Sequence, residues 1–391
     1  MKRIVCLVLV LTLALCAALP VEAAKKKTND DGTTTISGTL KAPWTVKNDS
    51  KLYEVNPVIE GENILTGLPS SGEVYTPITL VLDNAGPDDK GNLTAYPHWG
   101  VKEADIILQV PNAGVAATKL MAIYTDAFPA DAGGTRSGRT GFYPVAKMFD
   151  AAFVFYGFPG SGKGDSDLKA VLKNDKDMEM NKKWFNLING DYSDRIKRKG
   201  YVSPHNVSVH INQIHEHLTE LIDQGEVTFT PYPFQFTDDP RTEGDSAEYI
   251  EIIHRGAKST GKSNPASYAT FTYIPEKGGY IRTNTSGDYI DRNDETGEPI
   301  IFTNVIVLRT AFGSQKGAEY VWEKNFMVNS SGAAEIFQNG KYIRGTWSRN
   351  KKSNCRLLLT EKTDKKVREL EFQRGKTFIV ITNDITEINI K

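Results

Sequence analysis

Between residues 56 and about 233, apolar runs of strand length alternate with helical patterns. The clearest helical pattern covers residues 207–224, where apolar side chains recur every three or four positions and Gly225 follows. Shorter helices are predicted at 137–149 and 167–173. This alternation is typical of an α/β or α+β domain. The predicted strands of this region are the apolar runs at 76–85, 105–110, 119–125 and 151–157.

Beyond residue 247 the helical signals nearly vanish, and short β-type runs are separated by turn signals. The Asn339-Gly340 pair between two such runs is a strong hairpin signal. Residues 234–246 predict a connection between two domains. The expected fold class is therefore α+β. An α/β-like N-terminal domain at 56–233 would precede a mostly antiparallel β domain at 247–391.

Residues 1–23 show the pattern of a secretory signal peptide, with two basic residues, an apolar run and a small-residue cleavage site after Ala23. The run is shorter than the roughly 20 residues that cross a bilayer. Two alternatives stay open: an uncleaved anchor, and a lipoprotein acylated at Cys16 despite the large Leu15 before it. Residues 24–55 are polar and predict a flexible tether. The rest of the chain is expected outside the cytoplasmic membrane.

Composition narrows the function classes further. The 391 residues include 47 Lys and Arg against 48 Asp and Glu, so the formal net charge is −1. This balance argues against a nucleic-acid partner, which would require a basic face. Three cysteines are too few for a disulfide framework. Cys355, the one outside the leader, is interpreted as a buried strand cysteine. A membrane partner is expected only through an uncleaved or lipidated N-terminus.

Two polar pairs are candidates for ligand binding. Asp83 and Asn84 follow an apolar strand, and ligands of open α/β sheets usually bind at that end of a strand. Turn chemistry would explain this pair equally well. Arg136 and Arg139 are three residues apart and would share one face of a helix, where they could grip a carboxylate or phosphate. Ion-paired surface arginines are the alternative interpretation.

A third candidate pair precedes the clearest helix. His205 could serve near neutral pH as an acid, a base or a phosphate partner, or it could order the loop. Asn206, beside it, is a natural helix N-cap. The helical histidines that follow do not align on one face, so no metal site is expected.

The segment Gly157–Gly164 has the outline of a phosphate-binding P-loop. Gly164 stands where a hydroxyl would hold magnesium, which argues against nucleotide hydrolysis. A flexible glycine turn is the simpler interpretation. No cofactor is therefore expected.

The order of these motifs resembles the bacterial YerB-like lipoproteins, a family of unknown function with an N-terminal and a C-terminal domain. The polar positions that the resemblance carries over are Asp83, Asn84, Arg136, Arg139, His205 and Asn206. The matching stretches are NILTGLP (63–69), ITLVLDNA (78–85), AYPHWGVKEADIIL (95–108), TKLMAIYTD (118–126), GGTRSGR (133–139), DAAFVFYGFPGSG (150–162), SPHN (203–206), FTNVIV (302–307), NGKYIRGTWSR (339–349) and RGKTFIVIT (374–382).

The chain departs from the family pattern at three places. The family usually carries Arg-Pro-Gln where residues 96–98 read Tyr-Pro-His, and an acidic residue where Gln109 stands. The N-terminus also lacks a good lipidation box. The resemblance implies an envelope protein and names no reaction.

These observations predict an exported envelope protein that binds an anionic surface ligand or a protein partner through a polar cleft in its N-terminal domain. The alternative is a hydrolase or transferase acting on phosphate- or carboxylate-bearing envelope polymers, in which the arginines stabilise charge and His205 or Asp83 moves the proton. Side-chain tips of Asp83, Arg136 and His205 within roughly 3–6 Å would favour the enzyme.

Overall fold

The computed structural model describes residues 26–391 except 73, 86–94, 114–116, 159–166, 198–200, 255–267, 284–296, 312–329, 351–355 and 385. Cys355 and most of the glycine-rich segment 157–164 lie outside the described residues, as does the leader. The described part is built mainly from strands, with few helices. An α+β description therefore holds only coarsely.

Within the described residues, twelve strands and three α-helices precede residue 247. The strands are β1 (Lys26–Thr28), β2 (Thr34–Ile36), β3 (Ile78–Leu82), β4 (Ile106–Ala113), β5 (Ala117–Tyr124), β6 (Ala132–Gly133), β7 (Ala152–Phe155), β8 (Trp184–Asn186), β9 (Ser193–Arg195), β10 (Val207–Val209), β11 (Gln235–Thr237) and β12 (Asp245–Ser246). The helices are α1 (Tyr143–Met148), α2 (Asp167–Asn174) and α3 (Ile211–Asp223).

The later part of the described chain contains strands alone, apart from a single 3₁₀ turn at Pro275–Lys277. They are β13 (Tyr249–Ile253), β14 (Tyr268–Ile274), β15 (Gly279–Thr283), β16 (Ile301–Arg309), β17 (Ser330–Gln338), β18 (Lys341–Arg349), β19 (Leu358–Thr363), β20 (Lys366–Glu369), β21 (Glu371–Gln373), β22 (Lys376–Thr382) and β23 (Glu387–Ile390). Their pairing is mostly antiparallel, as the short β-type runs and turn signals predicted.

The sheet of the N-terminal half is mixed rather than doubly wound. β3 lies between β5, which is antiparallel to it, and β7, which is parallel. β8 continues beyond β7 in parallel, and β4 pairs with β5 in antiparallel. All five residues of β3 are buried, which explains why four of them are apolar and only Thr79 is polar.

Each of the three predicted helices is present at its predicted place in the chain, but the observed ends differ from the predicted ones. α2 begins where predicted, and α1 occupies only the last part of 137–149, with Pro144 in its first turn. α3 begins at Ile211, whereas the periodic pattern began at Val207. Val207–Val209 instead forms β10 and pairs with β9 and β6. Alternating valines suit either state, so tertiary pairing decides between them.

The predicted hairpin at Asn339-Gly340 joins β17 and β18. Both residues have a positive φ, 50° and 69°, which matches the right-handed twist of the flanking strands. The register runs from Gln338 opposite Lys341 to Ser330 opposite Arg349.

The structure differs from the predicted tether at 24–55. β2 pairs with β23, and Ile36 is buried in the main core. Trp44 donates its indole N–H to Thr360 at 2.9 Å, and the Tyr53 hydroxyl bonds Ser348 at 3.1 Å. Composition missed this because backbone pairing and a few anchoring side chains suffice to hold a polar segment. Residues 34–46 are called the N-terminal strap below.

Strand β22 joins the sheet of the N-terminal half to that of the C-terminal half. β22 is parallel to β16 on one side and parallel to β4 on the other. Lys376 Nζ donates to the Ala104 carbonyl at 2.6 Å, and Thr377 N donates to the Asp105 carbonyl at 3.2 Å. Eighteen strands of the described residues therefore belong to one hydrogen-bonded sheet.

None of the three helices in the described residues has the length and apolar composition needed to cross a bilayer.

We predict that Phe378→Ala destabilises both halves together. Phe378 is fully buried on β22, and its ring packs against Phe271 and Phe302 at centroid distances of 5.1 and 5.2 Å. Truncating such a ring costs about 3–5 kcal/mol. Urea unfolding followed by tryptophan fluorescence and by circular dichroism should show one coincident, shifted transition. Separate transitions for the two halves would contradict the shared sheet.

Candidate functional site

The site centres on Asp83, the residue directly after β3. Its side chain is fully buried. Asp83 N donates to the Gly134 carbonyl at 2.9 Å, and Arg136 N donates to the Val81 carbonyl at 3.1 Å. The segment 133–136 is thereby fixed along the end of β3, and Arg136 reaches Asp83.

Gly134 allows the third element to approach. A Cβ at this position would lie 2.1 Å from the carbonyl oxygen of His205, a distance that no side chain tolerates. Thr135 N also donates to the Val207 carbonyl at 3.0 Å. The glycine thus brings the loop that carries His205 against the end of β3.

Three basic side chains surround the Asp83 carboxylate. Arg136 Nε lies 2.9 Å from Oδ2, and His205 Nδ1 lies 2.5 Å from the same oxygen. Lys119 of β5 donates its ammonium to Oδ1. The three basic side chains are partly exposed, at 29% for Arg136, 16% for His205 and 14% for Lys119, while Asp83 lies beneath them.

The electrostatics favour an ionised carboxylate. Burial by itself would raise the pKa of Asp83, but the hydrogen bond from His205 and the charges of Lys119 and Arg136 lower it well below the usual range. Burial lowers the pKa of Lys119, and the positive charges of Arg136 and Arg139 add to that effect while Asp83 opposes it. Arg139 therefore contributes to the same electrostatic environment.

Asn84 faces a second, more deeply buried polar network. Its Nδ2 donates to Thr118 Oγ1 at 2.8 Å, and its Oδ1 accepts from the Tyr96 hydroxyl. Arg282 of β15, fully buried, donates to the Tyr96 hydroxyl at 3.1 Å and lies 3.4 Å from Asn84 Oδ1. Since β15 belongs to the C-terminal half, this network connects both halves.

His254 and Gln109 extend this network. Gln109 Nε2 donates to Thr118 Oγ1 at 2.9 Å and lies 3.3 Å from His254 Nε2, so a neutral imidazole accepts from the amide. His254 is buried, and burial together with the charge of Arg282 lowers its pKa to about 4.

Four of the six residues predicted from sequence meet or adjoin at this point: Asp83, Arg136 and His205 in contact, and Asn84 next in the chain. Arg139 lies in the same electrostatic environment, but its guanidinium Nη1 donates to the carbonyls of Ser137 and Gly138. The two arginines do not share a helix face, because α1 begins only at Tyr143.

Asn206 is not the N-cap that the sequence suggested. His210 precedes α3, and Asn206 Nδ2 instead donates to the Ile196 carbonyl at 3.0 Å. Its Oδ1 accepts from Arg195 at 3.0 Å. Asn206 cannot cap the helix because β10 lies between the two. Its side chain instead fixes the loop that carries His205.

Sequence reasoning missed Lys119, Arg282 and His254. Lys119 begins an apolar strand run. In the antiparallel β3–β5 register Leu82 lies opposite Leu120, so the residue directly after β3, Asp83, lies opposite Lys119. That signal requires knowing the strand pairing. Arg282 and His254 carried no local signal.

The comparisons with known proteins agree with the motif order. Residues 65–224 match the model described as "Protein of unknown function (DUF3048) N-terminal domain", and residues 260–379 match the corresponding C-terminal domain. The chain belongs to this two-domain family, which confirms the resemblance inferred from the motifs.

One relative is YerB of Bacillus subtilis (strain 168), described as "Putative lipoprotein YerB". The two sequences are 25% identical over 329 residues, which cover 83% of this chain and 87% of YerB. The crystal structure of YerB superposes with a TM-score of 0.61 at 21% identity, over 84% of this chain and 99% of that structure. The two proteins share a fold.

We predict that His254 makes the folded state sensitive to mild acid. From about pH 6.5 down to about 4, the unfolded chain binds a proton that folded His254 does not, so the free energy of unfolding falls as the pH falls. His254→Gln should remove this part of the slope. Urea titrations between pH 7 and 4 measure how the free energy of unfolding changes with pH. An unchanged pH dependence in the variant would show that His254 protonates in the folded protein.

Proposed function

We propose that this protein is exported and binds an anionic ligand of the cell envelope, or an acidic surface of a protein partner, at the Asp83 site. The supporting observation is the charge balance: Lys119 and Arg136 both face the single carboxylate of Asp83, together with His205. Arg139 adds a further positive charge nearby. One carboxylate leaves this group with a surplus of positive charge.

The chemistry of these groups suits a phosphate or a carboxylate. Arginine offers paired N–H donors that match two oxygens of either group, and lysine supplies a point charge. Because Asp83 is buried and the cations are partly exposed, the acid would hold the basic side chains in place while their outer donors face a ligand. A ligand would then meet preorganised donors, which lowers the entropy lost on binding.

The proposed location rests on the leader and on the relative. Residues 1–23 have the pattern of an export signal, and YerB carries the description "Putative lipoprotein". An anchor through Cys16 remains an alternative to cleavage after Ala23. In either case the Asp83 site would operate outside the cytoplasmic membrane.

The double variant Arg136→Gln with Arg139→Gln tests the binding proposal. We expect at least a tenfold loss of affinity for inorganic phosphate and for isolated cell-wall polymers, because two guanidiniums are removed from the site. Isothermal titration and a pelleting assay measure the two affinities. Arg368→Gln, which changes a half-exposed arginine of β20, is the matched control. Equal binding by wild type, control and double variant would refute the proposal.

A second candidate function is supported by the Asp83–His205 contact. A carboxylate on Nδ1 fixes the imidazole tautomer and leaves Nε2 to take up or release a proton, as in acid–base catalysis. The neighbouring cations would stabilise negative charge developing on a phosphoryl or acyl group. This arrangement corresponds to a hydrolase or transferase acting on envelope polymers.

Hydrolysis of p-nitrophenyl phosphate, bis-p-nitrophenyl phosphate and p-nitrophenyl acetate tests the catalytic alternative. If His205 transfers a proton, His205→Asn should lower the rate by about 10²–10⁴-fold. His215→Asn, which changes a histidine stacked on Phe128, is the control and should keep the wild-type rate. Absence of turnover by the wild type, or turnover that His205→Asn retains, would exclude this role.

A further inference from the structure

A second group of charged side chains lies inside the C-terminal half. Arg309, at the end of β16, is fully buried and its Nε donates to Glu335 Oε1 at 2.8 Å. Glu335 Oε2 accepts from the Tyr342 hydroxyl at 2.7 Å. Arg309 Nη1 donates to two backbone carbonyls, Asn383 at 2.8 Å and Thr386 at 3.0 Å. Both oxygens of Glu335 are therefore already engaged.

Arg344 adds a second guanidinium to this group. It stands directly opposite Glu335 in the β17–β18 register. All three of its guanidinium nitrogens are shielded from solvent and have no hydrogen-bond partner among the described residues, and the same holds for Arg309 Nη2. Burial and Glu335 raise the pKa of Tyr342, while the charges of Arg344 and Arg309 oppose that rise, so both cations act on one hydroxyl.

The charges of this group do not balance. Arg309 already pairs with Glu335, and Arg344 stands opposite this carboxylate in the strand register without a hydrogen bond to it. A guanidinium removed from water without acceptors is strongly destabilising. The donors left over are four nitrogens with N–H groups, three on Arg344 and one on Arg309. A planar fork of such donors matches the oxygens of a phosphate or carboxylate group.

We propose that Arg344 and Arg309 Nη2 form a second binding site, separate from the Asp83 site, for a small oxyanion bearing a phosphate or carboxylate group. The oxyanion would supply the missing negative charge and accept hydrogen bonds from the arginine nitrogens.

The N-terminal strap covers the neighbours of these arginines. A Cβ on Gly38 would lie 2.8 Å from Arg309 Nη1, so the strap backbone packs directly against that guanidinium. The Leu40 carbonyl accepts from Ala333 N at 3.2 Å, and the Trp44 carbonyl accepts from Thr346 Oγ1 at 3.3 Å. The strap therefore packs against Arg309 and against β17 and β18, the strands that carry Glu335 and Arg344.

Thermal unfolding in the Arg136→Gln, Arg139→Gln background tests this site, because the Asp83 site has lost both arginines there and the Arg344 variants below change the second site only. Chloride is replaced by inorganic phosphate or by acetate at constant ionic strength. We expect either oxyanion to raise the unfolding midpoint by about 2 °C or more. Adding Arg344→Met should abolish that response and raise the midpoint without oxyanion, because an unpaired buried charge is removed.

Two further variants make the result decisive. Arg368→Gln, in the same background, should keep the full response. Arg344→Lys retains the charge but lacks the planar fork of donors, so several-fold more oxyanion should be required for the same rise in the unfolding midpoint. This variant replaces Arg344→Met in the comparison if Arg344→Met does not fold. A response to phosphate alone or acetate alone assigns the preferred group. An absent response in the background protein, or one that Arg344→Met or Arg344→Lys retains in full, overturns the proposal.

Discussion

The parallel pairing of β22 with β4 is the interaction on which the rest of the molecule depends. It places the last third of the chain beside the N-terminal sheet through backbone hydrogen bonds, which do not depend on side-chain identity. Because β16 lies on the other side of β22, the C-terminal sheet is held in the same layer. Arg282 can reach Asn84 and Tyr96 only because the two halves share this sheet.

Within that frame, Asp83 organises the candidate site. A buried carboxylate is stable in the protein only if positive charge and hydrogen bonds compensate its loss of water. Here the compensation comes from three separate places in the chain: Lys119 on β5, Arg136 beside β3, and His205 on the loop before β10. The acid therefore determines the positions of the bases, and the bases determine what kind of ligand suits the site.

Much of this arrangement is visible in the sequence, and the remainder depends on pairing. Apolar runs and turn signals identified most of the strands, and the motif order identified Asp83, Arg136 and His205. The partners Lys119 and Arg282 could not be found, since each is an isolated basic residue within a strand whose neighbour is fixed only by the register. The strap was missed for a related reason: its polar composition hides the two groups, Ile36 and Trp44, that attach it to the sheet.

The pairing of β2 with β23 has a consequence for how the protein matures. Thr35 and Asn389, which face each other in this ladder, are separated by 354 positions in the chain. A segment made early in synthesis thus waits for nearly the whole polypeptide before its partner strand exists. Closing so long a loop comes late in folding, after local hairpins such as β17–β18 have formed. The edge of β2 that faces β23 stays unpaired until that step, so a chain emerging from a ribosome or translocon exposes this early-made edge to other strands for a long time.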